Sequence, residues 1–319
     1  MSSIPVDQQI SDQIKKYMAK HMEYFLGFYE VVLMFDMDEP GRAASRMAAE
    51  VIGSRARIAE LPMKDANEML VAGKTKELID CMWRAAVYRP EGILDMADLK
   101  EAAMTPLTSG KSWAFPTLTN LTYGYRRGEI YCLGAGTGVG KTDWMLQNAM
   151  HMTQVHGEKL GLFMLEQQPV ETARRLAGKF AKKTFHLPDS GWSAGEFEEA
   201  WDALQRNGRV FLYDSFGTND WAIIKTKIEY LAQAEGVTVF FLAHLTALAG
   251  WQEDERKALE VIMSDMGSLV QRLNITLVLV SHLATPEGAP HEEGGRVKIR
   301  HLKGSRSIGF WCHFIFALE

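Results

Sequence analysis

Cysteine is scarce in this sequence, with three residues among 319. Cys81, Cys132 and Cys312 form no C-x-x-C pair, the spacing that many zinc sites need. Cys132 and Cys312 also lie in apolar runs, as isolated buried thiols do. This usage predicts a protein of a reducing compartment without a zinc site.

A hydrophobic leader is also lacking. Residues 1–20 are polar and amphipathic, so they fit neither a signal peptide nor a membrane span. We therefore expect no membrane association and a cytoplasmic location, which includes the cytoplasm of an infected host cell.

The sequence also lacks an excess of positive charge. Lys and Arg total 35 against 40 Asp and Glu, which gives a net charge of -5 and excludes a uniformly basic surface. Any nucleic-acid site must then be a local patch. The hydrophobic content of 47% is sufficient for real cores, and the length suits one large or two ordinary domains.

One glycine-rich stretch, Gly134 to Thr142, lies between an apolar run and a helical pattern. This order of strand, loop and helix is that of a P-loop, whose backbone N–H groups surround a polyphosphate. Lys141 would reach the β- and γ-phosphates, and the Thr142 hydroxyl would bind Mg²⁺. The predicted nucleotide-binding residues are Ala135, Gly136, Thr137, Gly138, Val139, Gly140, Lys141 and Thr142. Ala135 replaces the first glycine of the motif, which is acceptable if its φ is negative.

An acidic pair follows the first apolar run of the chain. Residues 5–25 predict a helix, and residues 31–35 predict a strand that ends in Asp36 and Asp38. Two carboxylates on the same side of a strand end suit Mg²⁺, which prefers oxygen ligands. The alternative is that the acids only cap a helix, with Asp38 as N-cap and Pro40 in the first turn.

The remaining pattern predicts an α/β protein. In the first part, a second strand at 57–61 and a helix capped by Asp65 indicate a small parallel sheet. From residue 115 onward, apolar runs alternate with helical patterns and predict a mostly parallel central sheet. The predicted strands are 129–133, 160–165, 210–213, 237–242, 275–280 and 313–318, and the predicted helices are 141–155, 170–183, 194–206, 220–234 and 253–272. The predicted domains are 1–88 and 115–319, joined by a linker at 89–114 that carries one helix at 95–104.

Ligands of such sheets bind at the carboxyl ends of the strands. Glu166 follows the second strand and could activate the water that attacks the γ-phosphate, or it could be an ordinary helix cap or solvated acid. His282 follows a later strand and could contact the γ-phosphate or be structural. Ala243 stands where an Asp of the Mg²⁺ shell is expected, and the next residue, His244, is a poor Mg²⁺ ligand.

Residues 296–306 contain five lysines and arginines and no acid. Charged and apolar residues alternate, which predicts a strand that runs into a loop following a nucleic-acid backbone. A solvated basic hairpin is the alternative. The candidate DNA-binding residues are Arg296, Lys298, Arg300, Lys303, Gly304, Ser305 and Arg306.

Together these motifs resemble the bifunctional primase-helicases of T7-like phages, a family whose mitochondrial relative is Twinkle. Residues 32–42 and 64–68 look like the later half of a TOPRIM primase fold, and residues 115–319 look like the ring-forming, RecA-like helicase domain of superfamily 4. The further motifs match in order: Phe163-Met164-Leu165-Glu166, Asp254-Glu255-Arg256-Lys257, Ser281-His282-Leu283, His291-Glu292-Glu293-Gly294 and Leu302-Lys303-Gly304-Ser305.

The resemblance implies a replicative helicase that uses ATP or dTTP with Mg²⁺ and moves along single-stranded DNA. Glu166 would be the catalytic base, His282 the γ-phosphate sensor and residues 283–306 a DNA-binding loop in the channel of a hexameric ring. Asp36 and Asp38 would be primase metal ligands, and the helix at 95–104 would pack on a neighbouring subunit. A phage DNA polymerase is a further implied partner.

Three departures from the family suggest a chain truncated at both ends. Ala243 replaces the family's Asp, and the chain stops before the hairpin that carries the arginine finger. The zinc module and the first half of TOPRIM are missing, so we expect no primer synthesis by this chain alone. The alternative function is a hydrolytically weak module that binds nucleotide and single-stranded DNA. A RecA-type recombination ATPase is a third interpretation, which the TOPRIM-like segment disfavours.

Overall fold

The computed structural model describes residues 14–90, 92–106, 108–207, 209–214, 219–250, 254–284, 291, 295–303 and 305–319. The chain divides into two compact units, Met1–Pro106 and Leu107–Glu319. The predicted domain boundaries at 88 and 115 lie on either side of this division. None of the described helices has the length and apolar character that a membrane crossing requires.

The first unit is a small α/β unit. A helical segment at 14–20 precedes the regular elements, which matches the described part of the helix predicted at 5–25. The elements in chain order are α1 (Met22–Leu26), β1 (Val31–Leu33), α2 (Glu39–Ile52), a 3₁₀ turn (Gly53–Arg55), β2 (Ala56–Ile58), α3 (Ala66–Val71), α4 (Thr75–Trp83), β3 (Ala86–Val87) and α5 (Met96–Met104).

The sheet of the first unit is mixed rather than parallel. β1 and β2 pair in parallel as predicted, but β3 pairs antiparallel with β2. Two short helices, α3 and α4, occupy the connection between β2 and β3. A pair of helices returns the chain to the end of the sheet that it left, so the next strand runs in the opposite direction.

Side-chain caps fix the beginnings of the helices in this unit. The Asp38 carboxylate accepts a hydrogen bond of 2.9 Å from the Gly41 N–H, with Pro40 in the first turn of α2. The Asp65 carboxylate accepts one of 2.7 Å from the Glu68 N–H at the start of α3. Both caps were predicted from the sequence, and each is typically worth about 1 kcal/mol.

The second unit is a doubly covered parallel sheet. Its six strands have the order β6-β5-β7-β8-β4-β9, and every neighbouring pair is parallel. The elements are α6 (Pro116–Thr122), β4 (Ile130–Ala135), α7 (Lys141–His156), β5 (Leu160–Met164), α8 (Pro169–Ala181), α9 (Ala194–Asn207), β6 (Val210–Leu212), α10 (Trp221–Ala234), β7 (Val239–Ala243), a 3₁₀ turn (Leu245–Leu248), α11 (Glu255–Leu273), β8 (Thr276–Ser281), a 3₁₀ turn (Ile299–His301), α12 (Ser305–Trp311) and β9 (Phe314–Leu318). The six predicted strands and five predicted helices are all present, with ends that differ by one or two residues.

Two apolar layers enclose this sheet. Alternate residues of each central strand enter opposite layers: Phe240 packs with α10 and α11, and Phe241 packs with α7 and α8. Both rings are fully buried, and burial of such a side chain contributes about 1.5–3 kcal/mol. Because both faces are covered, the strand sequences are apolar throughout, as buried parallel strands require.

The phosphate-loop strand packs directly on the segment that was predicted to bind DNA. Gly134 lies in β4, and a Cβ at this position would overlap Leu302 Cδ2 and lie 3.2 Å from Leu283 Cδ2. Leu302 is itself buried. The absence of a side chain at 134 therefore allows residues 283 and 302 to pack against β4.

We predict that Gly134→Ala lowers the free energy of unfolding by about 1–3 kcal/mol, because the new methyl group overpacks this contact. The double variant Gly134→Ala, Leu302→Ala should then lose less stability than the sum of the two single losses, since only the 3.2 Å contact with Leu283 Cδ2 remains. Urea denaturation of the four proteins measures both values. Additive losses in the double variant would contradict the prediction.

Candidate nucleotide and DNA site

The glycine loop adopts conformations that only glycine accepts easily. It lies between β4, which ends at the buried Ala135, and α7, which begins at Lys141. Gly138 has φ of +80° and Gly140 has φ of +103°. An L side chain at either residue would be strained although nothing obstructs it. The sequence requirement at these two positions is therefore conformational.

Ala135 and Lys141 complete the loop. Ala135 is the last residue of β4 and has no positive φ, so the condition set for an alanine at this position is met. The buried Lys141 ammonium donates hydrogen bonds of 3.0 Å to Ala135 O and 2.6 Å to Gly136 O. Lys141 thus lies over the loop, where its charge can meet a polyphosphate.

A pocket of about 280 Å³ adjoins the start of α7. It is formed where β5 and β7 end, as the rule for parallel sheets predicts. Its lining residues are Thr142, Met164, Glu166, Gln167, Glu171, Arg175, Ala243 and His244. The pocket thus brings together the predicted Mg²⁺ ligand Thr142 and the predicted catalytic base Glu166.

Glu166 lies between two histidines. Its Oε2 is 2.7 Å from His244 Nδ1, and its Oε1 is 3.3 Å from His282 Nε2. The two imidazole rings stack with centroids 4.0 Å apart. Glu166 does not cap α8, because Gln168 holds that position. The cluster therefore joins the ends of β5, β7 and β8.

His244 is neutral at physiological pH. Burial, together with the nearby charge of His282, lowers the pKa of His244 to about 4, although the Glu166 carboxylate favours the protonated ring. Its buried Nδ1 lies close to Glu166 but makes no hydrogen bond of regular geometry with any described residue. His244 is a site residue that was not predicted from the sequence, because imidazole is a poor Mg²⁺ ligand; its position directly after β7 is the signal that could have identified it.

Ala243 is the last residue of β7 and lies in the lining of the same pocket. Its methyl group provides no ligand atom, so the position expected to hold Asp contributes no oxygen here. Mg²⁺ commonly takes one or two protein ligands and completes its octahedron with phosphate oxygens and water. Of the Mg²⁺ ligands predicted for this pocket, the Thr142 hydroxyl is the one present.

The basic segment is bonded to the end of β8. Lys303 N–H donates to His282 O at 3.0 Å, and Ala284 N–H donates to His301 O at 2.7 Å. The buried Ser281 hydroxyl contacts Lys303 O at 3.3 Å. These bonds place the predicted sensor His282 and the predicted DNA ligand Lys303 side by side.

The strand predicted for this segment was wrong. Residues 299–301 form a 3₁₀ turn, in which the N–H groups of His301 and Leu302 bond within the turn. They are therefore not available for a ladder, and a single bridge joins Leu283 and Leu302.

Five of the candidate DNA-binding residues are exposed to solvent: Arg296, Lys298, Arg300, Lys303 and Arg306. Ser305 begins α12, and Gly304 lies outside the described residues.

The acidic pair of the first unit is a separate feature. Asp36 and Asp38 are exposed, and Asp38 caps α2. Among the described residues, no third carboxylate, histidine or cysteine joins them in a cluster; the one cluster of this kind is formed by Glu166, His244 and His282. The cap accounts for Asp38, and the metal site remains a prediction.

Comparisons with known proteins give a consistent family. Residues 110–308 match the model described as DnaB-like helicase C terminal domain. A DNA helicase/primase of Enterobacteria phage T3 is 32% identical over an alignment 318 residues long, which covers 96% of this chain and 56% of that protein. The replicative DNA helicase DnaC of Bacillus subtilis is 21% identical over 209 residues, which cover 63% of this chain and 45% of that protein.

The fold comparison agrees. The ATPase domain of G40P superposes with a TM-score of 0.59 at 17% identity and covers 72% of this chain and 84% of that domain. The RecA-like α/β fold is thereby confirmed, as is the resemblance to phage primase-helicases. The chain spans about half the length of the curated relatives it matches.

Proposed function

The chain belongs to the DnaB-like helicase C-terminal domain family, and from this we propose that it is the helicase module of a phage replication protein. It hydrolyses a nucleoside triphosphate, ATP or dTTP, and uses the energy to move along single-stranded DNA in the host cytoplasm. The similarity to a phage helicase/primase over 96% of the chain supports the phage assignment.

One observation carries the proposal: the basic segment is bonded to the backbone of His282. The Lys303 N–H donates to His282 O at 3.0 Å, and the Ala284 N–H donates to His301 O at 2.7 Å. His282 lies 3.3 Å from Glu166 at the nucleotide pocket. A movement of His282 when the nucleotide is hydrolysed would therefore act directly on the DNA-binding loop through these hydrogen bonds. A translocating motor requires such coupling between hydrolysis and DNA binding.

The nucleotide chemistry divides among four residues. Lys141 binds the β- and γ-phosphates, and the Thr142 hydroxyl would hold Mg²⁺, which would offset the phosphate charge. Glu166 orients the attacking water and accepts its proton, and His282 contacts the γ-phosphate. Glu166 must leave its present position between two imidazoles to do this, so nucleotide binding competes with that arrangement.

Ring assembly is the expected context for this motor. Family members act as homo-oligomeric rings. Exposed apolar side chains lie in and next to α5: Leu94 precedes the N-cap of the helix, and Met96 and Met104 lie within it. We propose that α5 packs on the next subunit of a hexamer. Asp36 and Asp38 as metal ligands of a partial TOPRIM domain, and a phage DNA polymerase as a partner, belong to the same proposal.

We predict that Glu166→Gln lowers the rate of nucleotide hydrolysis by about 10²–10⁴-fold, the usual contribution of a general base. Nucleotide affinity should change little, because the amide keeps the size of the side chain. Steady-state phosphate release and equilibrium nucleotide binding measure the two effects. The matched control is Glu171→Gln, which lies in the same pocket but pairs with Arg175; an equal loss in both variants would refute the role of Glu166.

We predict that Lys303→Ala weakens single-stranded DNA binding and flattens its salt dependence. Loss of one phosphate contact should reduce the slope of log K against log salt concentration by about 0.7. Fluorescence anisotropy at several salt concentrations measures this slope. Lys227→Ala removes an exposed lysine from α10, outside the basic segment, and should leave the slope unchanged.

A second candidate function follows from Ala243. A motor without the expected Asp would be a hydrolytically weak module that binds nucleotide and DNA but turns over slowly. The placement of Ala243 in the pocket with Thr142 favours this reading over a distant, irrelevant substitution. The two functions use the same nucleotide-binding and DNA-binding residues and differ in the rate of nucleotide hydrolysis.

We predict that Ala243→Asp raises the Mg²⁺-dependent hydrolysis rate by about tenfold or more, which corresponds to about 1.4 kcal/mol of barrier. The added carboxylate supplies the missing oxygen ligand. Ala243→Ser is the control of similar size without the charge. Circular dichroism confirms that both variants fold, and an equal rate for Asp and Ala in a folded chain would exclude the weak-module explanation.

A further inference from the structure

The cluster of Glu166, His244 and His282 has a donor set that the proposed hydrolysis does not use. It offers one carboxylate and two imidazole nitrogens, and the ligand atoms all lie within 4.8 Å of one another. Magnesium favours oxygen ligands, whereas imidazole favours zinc, cobalt and similar ions. Two histidines and one glutamate form a common protein ligand set for catalytic zinc.

The geometry is close to that of a bound ion. Ligands at about 2.0–2.1 Å from a tetrahedral metal lie about 3.4 Å from one another. The Glu166 oxygens are 2.7 Å from His244 Nδ1 and 3.3 Å from His282 Nε2. Rotation of the two stacked imidazole rings, whose centroids are 4.0 Å apart, would be needed to turn both ring nitrogens toward one ion beside Glu166.

Burial favours a ligand at this place. Nδ1 of His244 is buried and has no regular hydrogen-bond partner among the described residues. A metal bond would replace its irregular contact with the Glu166 oxygen 2.7 Å away by a regular one.

The surrounding charges are nearly balanced. Lys141 is close enough to disfavour a cation at His244. The Glu166 carboxylate opposes that effect directly, and Glu171 at the pocket wall is paired with Arg175 at 2.9 Å. One carboxylate and two imidazole rings thus face the site of a dication, and the adjoining pocket leaves room for water as the fourth ligand.

We propose that Glu166, His244 and His282 bind a divalent transition metal of the zinc class, and that the bound ion inhibits the motor. The metal occupies the carboxylate oxygens of Glu166, so this side chain can no longer accept a proton from water. The inhibition rests on the function proposed above, whereas the binding does not.

Metal binding is tested on the full chain after chelator treatment, without nucleotide. Co²⁺ serves as a spectroscopic probe, because its visible absorption reports coordination by nitrogen and oxygen, and Zn²⁺ is titrated by calorimetry. We expect one ion per chain, with Zn²⁺ displacing Co²⁺. His244→Ala and His282→Ala should each weaken binding by at least about 10–100-fold, the range for loss of even an outer-shell partner.

The control variant is His151→Gln, a histidine of α7 whose Nε2 contacts the Ser112 hydroxyl at 3.0 Å. It should bind the metal as the unmodified chain does. His282→Ala keeps the test valid if the more buried His244→Ala does not fold, since His282 is the more exposed ring. No binding to the unmodified chain, or equal binding in both cluster variants and the control, would overturn the proposal.

Hydrolysis is then measured with excess Mg²⁺ while Zn²⁺ is raised, each protein being compared with its own zinc-free rate. Because nucleotide competes for Glu166, the free Zn²⁺ concentration that halves the rate should exceed the dissociation constant from calorimetry, increase with nucleotide concentration and be higher still in His244→Ala. If Zn²⁺ binds at the cluster in a chain that hydrolyses nothing, the proposed function fails and the metal site stands. If hydrolysis proceeds and no ion binds, the metal site fails and the function stands.

Discussion

The parallel register of β5, β7, β8 and β4 is the constraint on which the site depends. Each of these strands pairs in parallel with its neighbour, so all four end at the same edge of the sheet. Residues far apart in the chain, such as Glu166 and His282, are thereby brought to 3.3 Å. The burial of both faces of the sheet fixes this register, because a shift by one residue would turn apolar side chains away from their layer.

Much of the second unit could be predicted from its sequence because its signals are local. Unbroken apolar runs define strands, and the positive φ values of Gly138 and Gly140 are encoded directly by the residue type. The position of Glu166 after a strand was sufficient to place it at the ligand edge. Ala135 was also interpretable, since the question was only the sign of its φ.

The remaining features depend on tertiary contacts that have no local signal. Glu166 and His244 meet because β5 and β7 are neighbours in the sheet. The periodicity of apolar residues does not indicate which strands are neighbours. The basic segment alternates as a strand does, yet its N–H groups bond within a turn. In the first unit, β3 is antiparallel because two helices, α3 and α4, lie between it and β2. The sequence pattern indicated one helix after β2 and therefore a parallel next strand.

The link between His282 and Lys303 consists of peptide groups, N–H to O=C, rather than side chains. A connection of this kind does not depend on the identity of the residues it joins. Side chains at both positions are therefore open to change in charge and size while the mechanical linkage persists. The same backbone connection could therefore be kept while the side chains at these two positions change.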